Sequence, residues 1–184
     1  MRHGESLANP KKLIISDPSI GCKLYGLTER GREQARESAL KSGLSKNTII
    51  VSSDFTRARE TAKIVQDALR CGEVVLRKGL RERFFGKLEA GSSENYAKVW
   101  AHDDSDTINT PFGVDSPRYL VHRLSRVVND LEAQHHGVFV LLVSHGDPLR
   151  FLQVSMAGRD LTEHMKVRHF APAEIRPLED LIKS

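Results

Sequence analysis

The chain has 184 residues, of which 39% are hydrophobic and 28% charged, and its formal net charge is +4. This balance is typical of a soluble folded domain and excludes a collagen-like, low-complexity or wholly disordered chain. Basic residues are spread along the chain and aromatic residues make up only 6%, so we expect no nucleic-acid partner, which would need a concentrated basic stripe. The longest apolar run, residues 138–143, is far shorter than the ~20 residues of a membrane helix, so we expect no membrane partner.

We expect one domain over residues 1–184, since no linker or repeat divides the chain. We also expect a cytoplasmic protein, because no apolar stretch typical of a signal peptide follows Met1. The two cysteines, Cys22 and Cys71, are too few and too far apart for a disulfide scaffold or a zinc site. Both are expected to be reduced thiols.

Four segments carry helix signals: polar caps, glycine ends and apolar residues at helical spacing. The predicted caps and ends are Thr28 and Gly43 for the first helix, Asp54 for the second, Ser116 and Gly137 for the third, and Asp147 for a short fourth. Four segments are predicted strands, namely residues 48–51, 73–76, 138–143 and, at an edge, 173–176. The polar stretch 91–116 is predicted to be a loop or a short helix.

Helices alternating with strands predict an α/β fold, a three-layer sandwich with a mainly parallel central sheet flanked by helices. In open sheets of this kind the ligand lies beyond the carboxyl ends of the strands. Four polar segments stand at such positions or at helix starts, namely residues 2–5 with Asn9, 52–58, 80–83 and 143–146. We expect them to converge.

Convergence would assemble two histidines, two arginines and a carboxylic acid, a set suited to phosphoryl transfer. A neutral imidazole can attack phosphorus in line and form a phosphohistidine. Arginines can neutralise the equatorial oxygens, and a protonated second histidine can complete that clamp. A carboxyl group can protonate the leaving alcohol and then deprotonate water. This chemistry needs no metal and no cofactor, and we expect neither.

Five motifs, in order, resemble those of the histidine phosphatase superfamily, the phosphoglycerate-mutase-like group. They are RHGE followed by Asn at 2–9, LTERGREQA at 27–35, Ser-x-x-x-Arg-Ala-x-x-Thr-Ala at 53–62, Leu-x-Glu-Arg-x-x-Gly-x-Leu at 80–88, and SHG at 144–146. The resemblance covers nearly the whole chain and implies the phosphoglycerate-mutase-like fold. Members of the family carry a hydrophobic strand before RHG, so we expect this chain to lack most of the first strand and its native form to extend upstream of Met1.

The resemblance also implies a role for each matching residue. His3 would be the nucleophile, Glu82 the proton donor and acceptor, and Arg2, Arg57 and His145 would hold the phosphoryl group. Asn9 and the backbone of Gly146 would contribute to the substrate pocket. Two groups of residues carry less weight. The arginines Arg59, Arg81 and Arg83 could reach substrate or be solvated, and the remaining histidines, expected to be surface or satisfied core groups, are His122, His135, His136, His164 and His169.

These roles predict a phosphatase acting on a small phosphorylated substrate. A phosphomutase must exclude water, and the 62 residues between Glu82 and His145 include no large insertion that would form a lid. A phosphoglycerate-type phosphomutase and a non-catalytic binding module of the same fold remain alternatives. The variable stretch 91–115 is expected to form the specificity pocket. The sequence does not name the substrate or the oligomeric state.

Overall fold

The computed structural model describes residues 1–178, which form a three-stranded parallel sheet flanked by helices on both faces. The strands, in the spatial order β2-β1-β3, are β1 (Ile49–Ser52), β2 (Val75–Leu76) and β3 (Val140–Val143). The helices are α1 (Pro18–Gly21), α2 (Glu29–Lys41), α3 (Thr56–Leu69), α4 (Tyr96–Asp103), α5 (Pro117–Gln134) and α6 (Gly146–Met156). The predicted α/β sandwich with a parallel sheet is confirmed.

The central strand β1 is buried from both sides, as expected of a short β-branched run in a parallel sheet. Its register pairs Ile49 with Val140 and Ser52 with Val143, so β1 and β3 end together. One face of the sheet packs on α2 and α3 through small residues such as Ala35 and Ala62. The other face packs on α5 and α6, with the apolar cluster Val51, Leu80, Leu120, Leu124, Phe151 and Leu152.

The first three residues extend the sheet beside β3. The backbone N–H of His3 donates to Ser144 O at 3.0 Å, and Ser144 N–H donates to Met1 O at 3.0 Å. On the other side, Arg2 N–H donates to Glu174 O and Ala173 N–H donates to His3 O. This short segment occupies the position of the first strand, most of which the chain was expected to lack. It places His3 at the carboxyl end of the sheet. The expected strand 173–176 supplies these bonds but forms no regular strand.

Helix caps were predicted correctly where a hydroxyl binds the first turn. The Thr28 hydroxyl accepts Gly31 N–H at 3.0 Å and the Ser116 hydroxyl accepts Tyr119 N–H at 3.2 Å. Gly43 follows α2 with φ +72°. A left-handed backbone of this kind favours glycine.

Two predicted caps were wrong, and each carboxylate binds a donor outside its helix. Helix α3 begins after Phe55 with no side-chain cap, and the Asp54 carboxylate instead binds the Arg81 guanidinium at 2.6 and 2.7 Å. Asp147 lies inside the first turn of α6, whose N-cap is His145. The charged Arg81 guanidinium competes well with a backbone N–H for the Asp54 carboxylate, and Asp147 accepts the indole N–H of Trp100.

The strand predicted at 138–143 is two residues too long. Val138 is 45% and Phe139 72% exposed, and the strand begins only at Val140. Helix α5 ends at Gln134 and Gly137 turns the chain with φ +68°, so residues 135–139 form a surface connection. The strand predicted at 73–76 shrinks to the two residues of β2. The strand predicted at 48–51 is confirmed with a shift of one residue.

The polar stretch 91–116 contains one helix, α4, between single helical turns. Its last residue, Asp103, forms a bidentate ion pair with Arg83 at 2.6 and 2.8 Å, and both side chains are 0% exposed. This pair ties α4 to the loop that carries Glu82. Cys22 and Cys71, both half-buried, form no disulfide within the described residues. Within residues 1–178 no helix is long and apolar enough to cross a membrane.

Candidate active site

A cavity of about 110 Å³ opens beyond the carboxyl ends of β1 and β3. It is small beside the roughly 300–1,000 Å³ of pockets that bind drug-sized ligands. Six of the seven residues predicted for the site line it: Arg2, His3, Asn9, Arg57, Glu82 and Gly146. The seventh, His145, is fully buried beside the cavity, with its ring centroid 5.2 Å from that of His3. The expected convergence is confirmed.

His3 is buried and held in one tautomer. Its Nδ1 lies 2.7 Å from Gly4 O, and since a carbonyl only accepts, Nδ1 carries the proton. The lone pair is therefore on Nε2, which accepts the Arg57 Nε–H at 3.0 Å. Burial, with Arg57 and Arg2 nearby, holds the pKa of His3 well below 6.5. The imidazole is neutral at pH 7 and presents a nucleophilic nitrogen next to a guanidinium.

The backbone that carries His3 is fixed by a close approach of two glycines. A Cβ on Gly4 would lie 2.3 Å from Gly31 O, and a Cβ on Gly31 would lie 2.0 Å from Glu5 O. Any side chain at either position would push the first segment away from α2. The Gly4 N–H also donates to the Thr61 hydroxyl at 3.0 Å, so the loop after His3 is tied to α3 as well.

Arg57 brings a buried guanidinium group to the cavity and Arg2 a half-buried one. Arg57 lies in the first turn of α3, where its Nη2 donates to Ile15 O at 3.0 Å. Arg2 Nη1 donates to Phe170 O at 2.6 Å. Three buried nitrogens at the site have no hydrogen-bond partner within residues 1–178, namely Arg2 Nε, Arg57 Nη1 and His145 Nδ1. Buried donors are normally paired, so the site has donors ready for an oxyanion.

Glu82 faces these donors from the loop after the helical turn Lys78–Leu80. Its Oε2 lies 3.7 Å from Arg57 Nη2 and 3.9 Å from His145 Nδ1, while its Oε1 accepts Arg83 N–H at 3.0 Å. Burial raises the pKa of Glu82 to about 7 against the opposing effect of Arg57, and the charge of Asp147 raises it further. A carboxyl group with this pKa can donate and accept a proton near neutral pH.

The expectation of a protonated His145 was wrong for the free site. Burial, Arg57 and His3 hold the pKa of His145 well below 6.5. Ser53 Oγ accepts the Phe55 N–H and lies 2.9 Å from His145 Nε2, so its hydroxyl can donate to Nε2 in the tautomer that carries the ring proton on Nδ1. In that tautomer a neutral His145 can still donate one hydrogen bond to an oxyanion from Nδ1.

Other predicted residues have mixed outcomes. Asn9 lines the cavity, but its Oδ1 accepts from the Ser6 N–H and hydroxyl at 2.7 and 2.9 Å, so only its amide N–H₂ is available. Arg83 is neither solvated nor at the substrate, because Asp103 holds it in the core. Arg81 is paired with Asp54, and Arg59 is exposed.

Sequence reasoning missed three residues that line the cavity, namely Lys12, Asp147 and His169, while Tyr96 and Trp100 line it from the stretch 91–115 that was expected to form the specificity pocket. His169 was expected to be a surface or core group, yet its Nδ1 lies 2.6 Å from Arg150 Nη2. His164 is in the core as expected, but neither ring nitrogen has a partner within the described residues. Asp147 directly follows the SHG motif, and this position could have identified it as a residue of the site. Within residues 1–178 no three His, Cys, Asp or Glu side chains are grouped as metal ligands.

The arrangement is that of an α/β protein whose sheet edge can bind an oxyanion and offer it a nucleophile and an acid. The sequence model of one protein family, the histidine phosphatase superfamily (branch 1), matches residues 1–179. The chain belongs to this superfamily. A metal-independent phosphoserine phosphatase of Arabidopsis thaliana is 29% identical over 181 residues, which cover 92% of this chain and 74% of the relative.

Two further relatives carry different activities in their names. A 2,3-bisphosphoglycerate-dependent phosphoglycerate mutase of Parvibaculum lavamentivorans is 29% identical over 167 residues, covering 85% of this chain and 77% of the relative. The solved structure of the phosphoserine phosphatase of Entamoeba histolytica, in complex with 3-phosphoglyceric acid, superposes with a TM-score of 0.74 at 27% identity, covering 94% of this chain and 84% of that one. Relatives of similar identity thus include phosphatases and a mutase.

Proposed function

We propose that this protein is a phosphatase that hydrolyses small phosphate monoesters through a phosphohistidine on His3. The observation that carries the proposal is that one cavity holds a histidine with a lowered pKa and a glutamic acid with a raised pKa. His3 is neutral with its lone pair on Nε2, and the pKa of Glu82 lies near 7. A nucleophile that is free of its proton and an acid that holds one are what the first step requires.

In the first step the phosphoryl oxygens take the place of protein groups as partners of Arg2, Arg57 and His145 Nδ1. His3 Nε2 attacks phosphorus, forming the P–N bond as the ester P–O bond breaks. Glu82 transfers its proton to the departing alkoxide, so an alcohol leaves. The arginines are already in place before charge develops, which lowers the cost of reorganising the site.

In the second step water occupies the position left by the alcohol. Glu82, now a carboxylate, takes a proton from this water as its oxygen attacks phosphorus. The P–N bond breaks, the electron pair returns to His3 Nε2, and inorganic phosphate is released. The enzyme ends with Glu82 protonated and His3 neutral, as it began.

Solvent access favours hydrolysis over phosphoryl return to an acceptor. Between Glu82 and His145 the part that covers the cavity is α4, a helix of eight residues, and the cavity-lining Asn9 and His169 are exposed. Water can therefore reach the phosphohistidine, which a mutase must prevent. The alternative of a non-catalytic module gains no support, because every residue expected for catalysis is present at the cavity.

The test compares two products. Phosphate release is measured from an aryl phosphate and a panel of phosphorylated metabolites, and interconversion of 2- and 3-phosphoglycerate is measured with and without 2,3-bisphosphoglycerate. We expect phosphate release that is lost in His3→Ala and persists with a chelator, since imidazole is the nucleophile and arginines neutralise the charge. Interconversion that exceeds phosphate release and depends on the bisphosphate would make the protein a mutase.

A further inference from the structure

Asp147 is an unexpected neighbour for a phosphate group. Its side chain is 4% exposed and lines the same cavity as Arg2 and Arg57. A carboxylate repels a phosphate dianion, so it is unsuited to the phosphoryl end of the cavity. It lies in the first turn of α6, where it accepts the indole N–H of Trp100, another residue that lines the cavity.

The negative charge of Asp147 is only partly compensated. Within residues 1–178 its one ion pair shorter than 4.0 Å is with Arg83 Nη1, at 3.6 Å. That guanidinium is already bound by both oxygens of Asp103 at 2.6 and 2.8 Å. Arg150, which lies about one turn further along α6, directs its Nη2 to His169 Nδ1 at 2.6 Å. Arg2 directs Nη1 to a backbone carbonyl.

The hydrogen-bonding capacity of Asp147 is also only partly used. Trp100 Nε1–H is 3.1 Å from each carboxylate oxygen, so a single N–H is shared between them. An ionised carboxylate can accept about four hydrogen bonds. Further donors can therefore bind, and a donor that carries positive charge binds a buried carboxylate most strongly.

We propose that Asp147 is a specificity-determining residue that selects phosphate monoesters with an ammonium group over those with a second acid group. This inference rests on the proposed phosphatase function. The phosphoryl group would lie against Arg2, Arg57 and His3, and the organic part beside the Asp147 carboxylate. There an ammonium group gains a charge-assisted hydrogen bond to Asp147, whereas a carboxylate meets like charge.

The test uses two substrates of matched size, O-phosphoethanolamine and phosphoglycolate, at pH 7. Wild type, Asp147→Asn and the control Asp130→Asn are compared by the ratio of kcat/KM for the amine over the acid. Asp130 is exposed on α5, so the control makes the same change away from the cavity. A substrate turned over too slowly is measured by its Ki against aryl phosphate hydrolysis. Any change in the proton affinity of Glu82 affects both substrates and cancels in the ratio.

We expect a wild-type ratio above one and a decrease of about tenfold in Asp147→Asn, with no change in the control. Trp100 is the single tryptophan of the chain, so its fluorescence gives a binding ratio that does not depend on turnover or on the proposed function. A wild-type ratio below one, or an unchanged ratio in a folded Asp147→Asn, would overturn the inference. If His3→Ala still hydrolyses aryl phosphate, the proposed function fails while the fluorescence ratio still decides the role of Asp147.

Discussion

The Nε–H of Arg57 donates to Nε2 of His3 at 3.0 Å, so the lone pair of the imidazole faces a guanidinium. Together with the bond from Nδ1 to Gly4 O, this contact fixes the ring orientation and the tautomer. It also means that the group expected to bind phosphoryl oxygens lies within one hydrogen bond of the nucleophile. Substrate binding must break this bond, so that a phosphoryl oxygen replaces His3 Nε2 as the partner of Arg57 and the lone pair becomes free to attack phosphorus.

Arg57→Lys is expected to reduce kcat/KM for an aryl phosphate by about 100-fold or more, since lysine keeps the charge but loses the planar, bidentate donor set. Arg59→Lys is the matched control, because Arg59 is exposed on the same helix and at no part of the cavity. Steady-state kinetics on both variants measure the difference. Similar activity in both would mean that only the charge at position 57 matters.

Glu82→Gln is expected to decrease turnover far more for an alkyl phosphate than for a nitrophenyl phosphate, because an activated leaving group needs little protonation. The exposed Glu73→Gln provides the control. Turnover of the two substrates is compared in each variant. Equal losses with both substrates would show that Glu82 has a structural role and no part in proton transfer.

The pH profile of kcat/KM should have a descending limb near pH 7. The first step needs Glu82 protonated, and its pKa in the folded protein is raised to about 7, so activity falls as the pH rises through this value. The pKa of His3 is lowered well below 6.5, so any loss from its protonation lies at lower pH. A profile measured from pH 5 to 9 that stays flat above pH 7 would assign the acid to another group.

Glu82 should also make stability depend on pH. Its pKa of about 7 in the folded protein lies above the 4.5 of an unperturbed glutamate, so the folded state binds the proton more tightly. Its contribution to stability is fully present below about pH 4.5 and is lost as the pH rises to about 7. Glu82→Gln removes this dependence, so its Tm relative to wild type should increase between pH 4.5 and 8. An unchanged difference would contradict the raised pKa.

Asp103→Ala is expected to destabilise the fold by about 3–5 kcal/mol, because it removes the bidentate partner of the buried Arg83 guanidinium and leaves only the more distant Asp147 carboxylate at 3.6 Å. Both side chains are 0% exposed. The double variant Arg83→Met with Asp103→Leu should recover part of this loss, since it removes the buried guanidinium, while the buried Asp147 loses its ion pair with Arg83. Denaturant unfolding measures both. A double variant less stable than Asp103→Ala would show that the pair contributes more than the avoidance of an unpaired charge.

The sequence predicted the parallel sheet and the meeting of His3, Arg57, Glu82 and His145, because β-branched runs and the motifs at their ends are local signals. It did not predict the partners of acidic side chains. Asp54 and Asp147 were assigned as helix caps, yet each binds a distant donor, Arg81 and Trp100. Such choices depend on which donors tertiary packing brings near, and spacing along the chain does not reveal them.

The protonation state of the site was likewise not predicted from the sequence. His145 was expected to be charged, but burial beside Arg57 lowers its pKa, and burial depends on the packing of every surrounding element. The cavity wall formed by α4 lies in the stretch that was predicted to be a loop or a short helix and to form the specificity pocket. The sequence did not reveal the buried Asp103–Arg83 pair that anchors α4, because it joins residues 20 positions apart.

The central claim is the phosphohistidine on His3, and trapping it is the most direct measurement. Wild type and His3→Ala are mixed with a phosphate-labelled monoester, quenched within the first turnovers and assayed for protein-bound label. Label that is acid-labile and base-stable, located on His3 in wild type and absent from His3→Ala, is the predicted result. Hydrolysis by His3→Ala at more than about one hundredth of the wild-type rate, or turnover in wild type with no labelled histidine, would contradict nucleophilic catalysis at this residue.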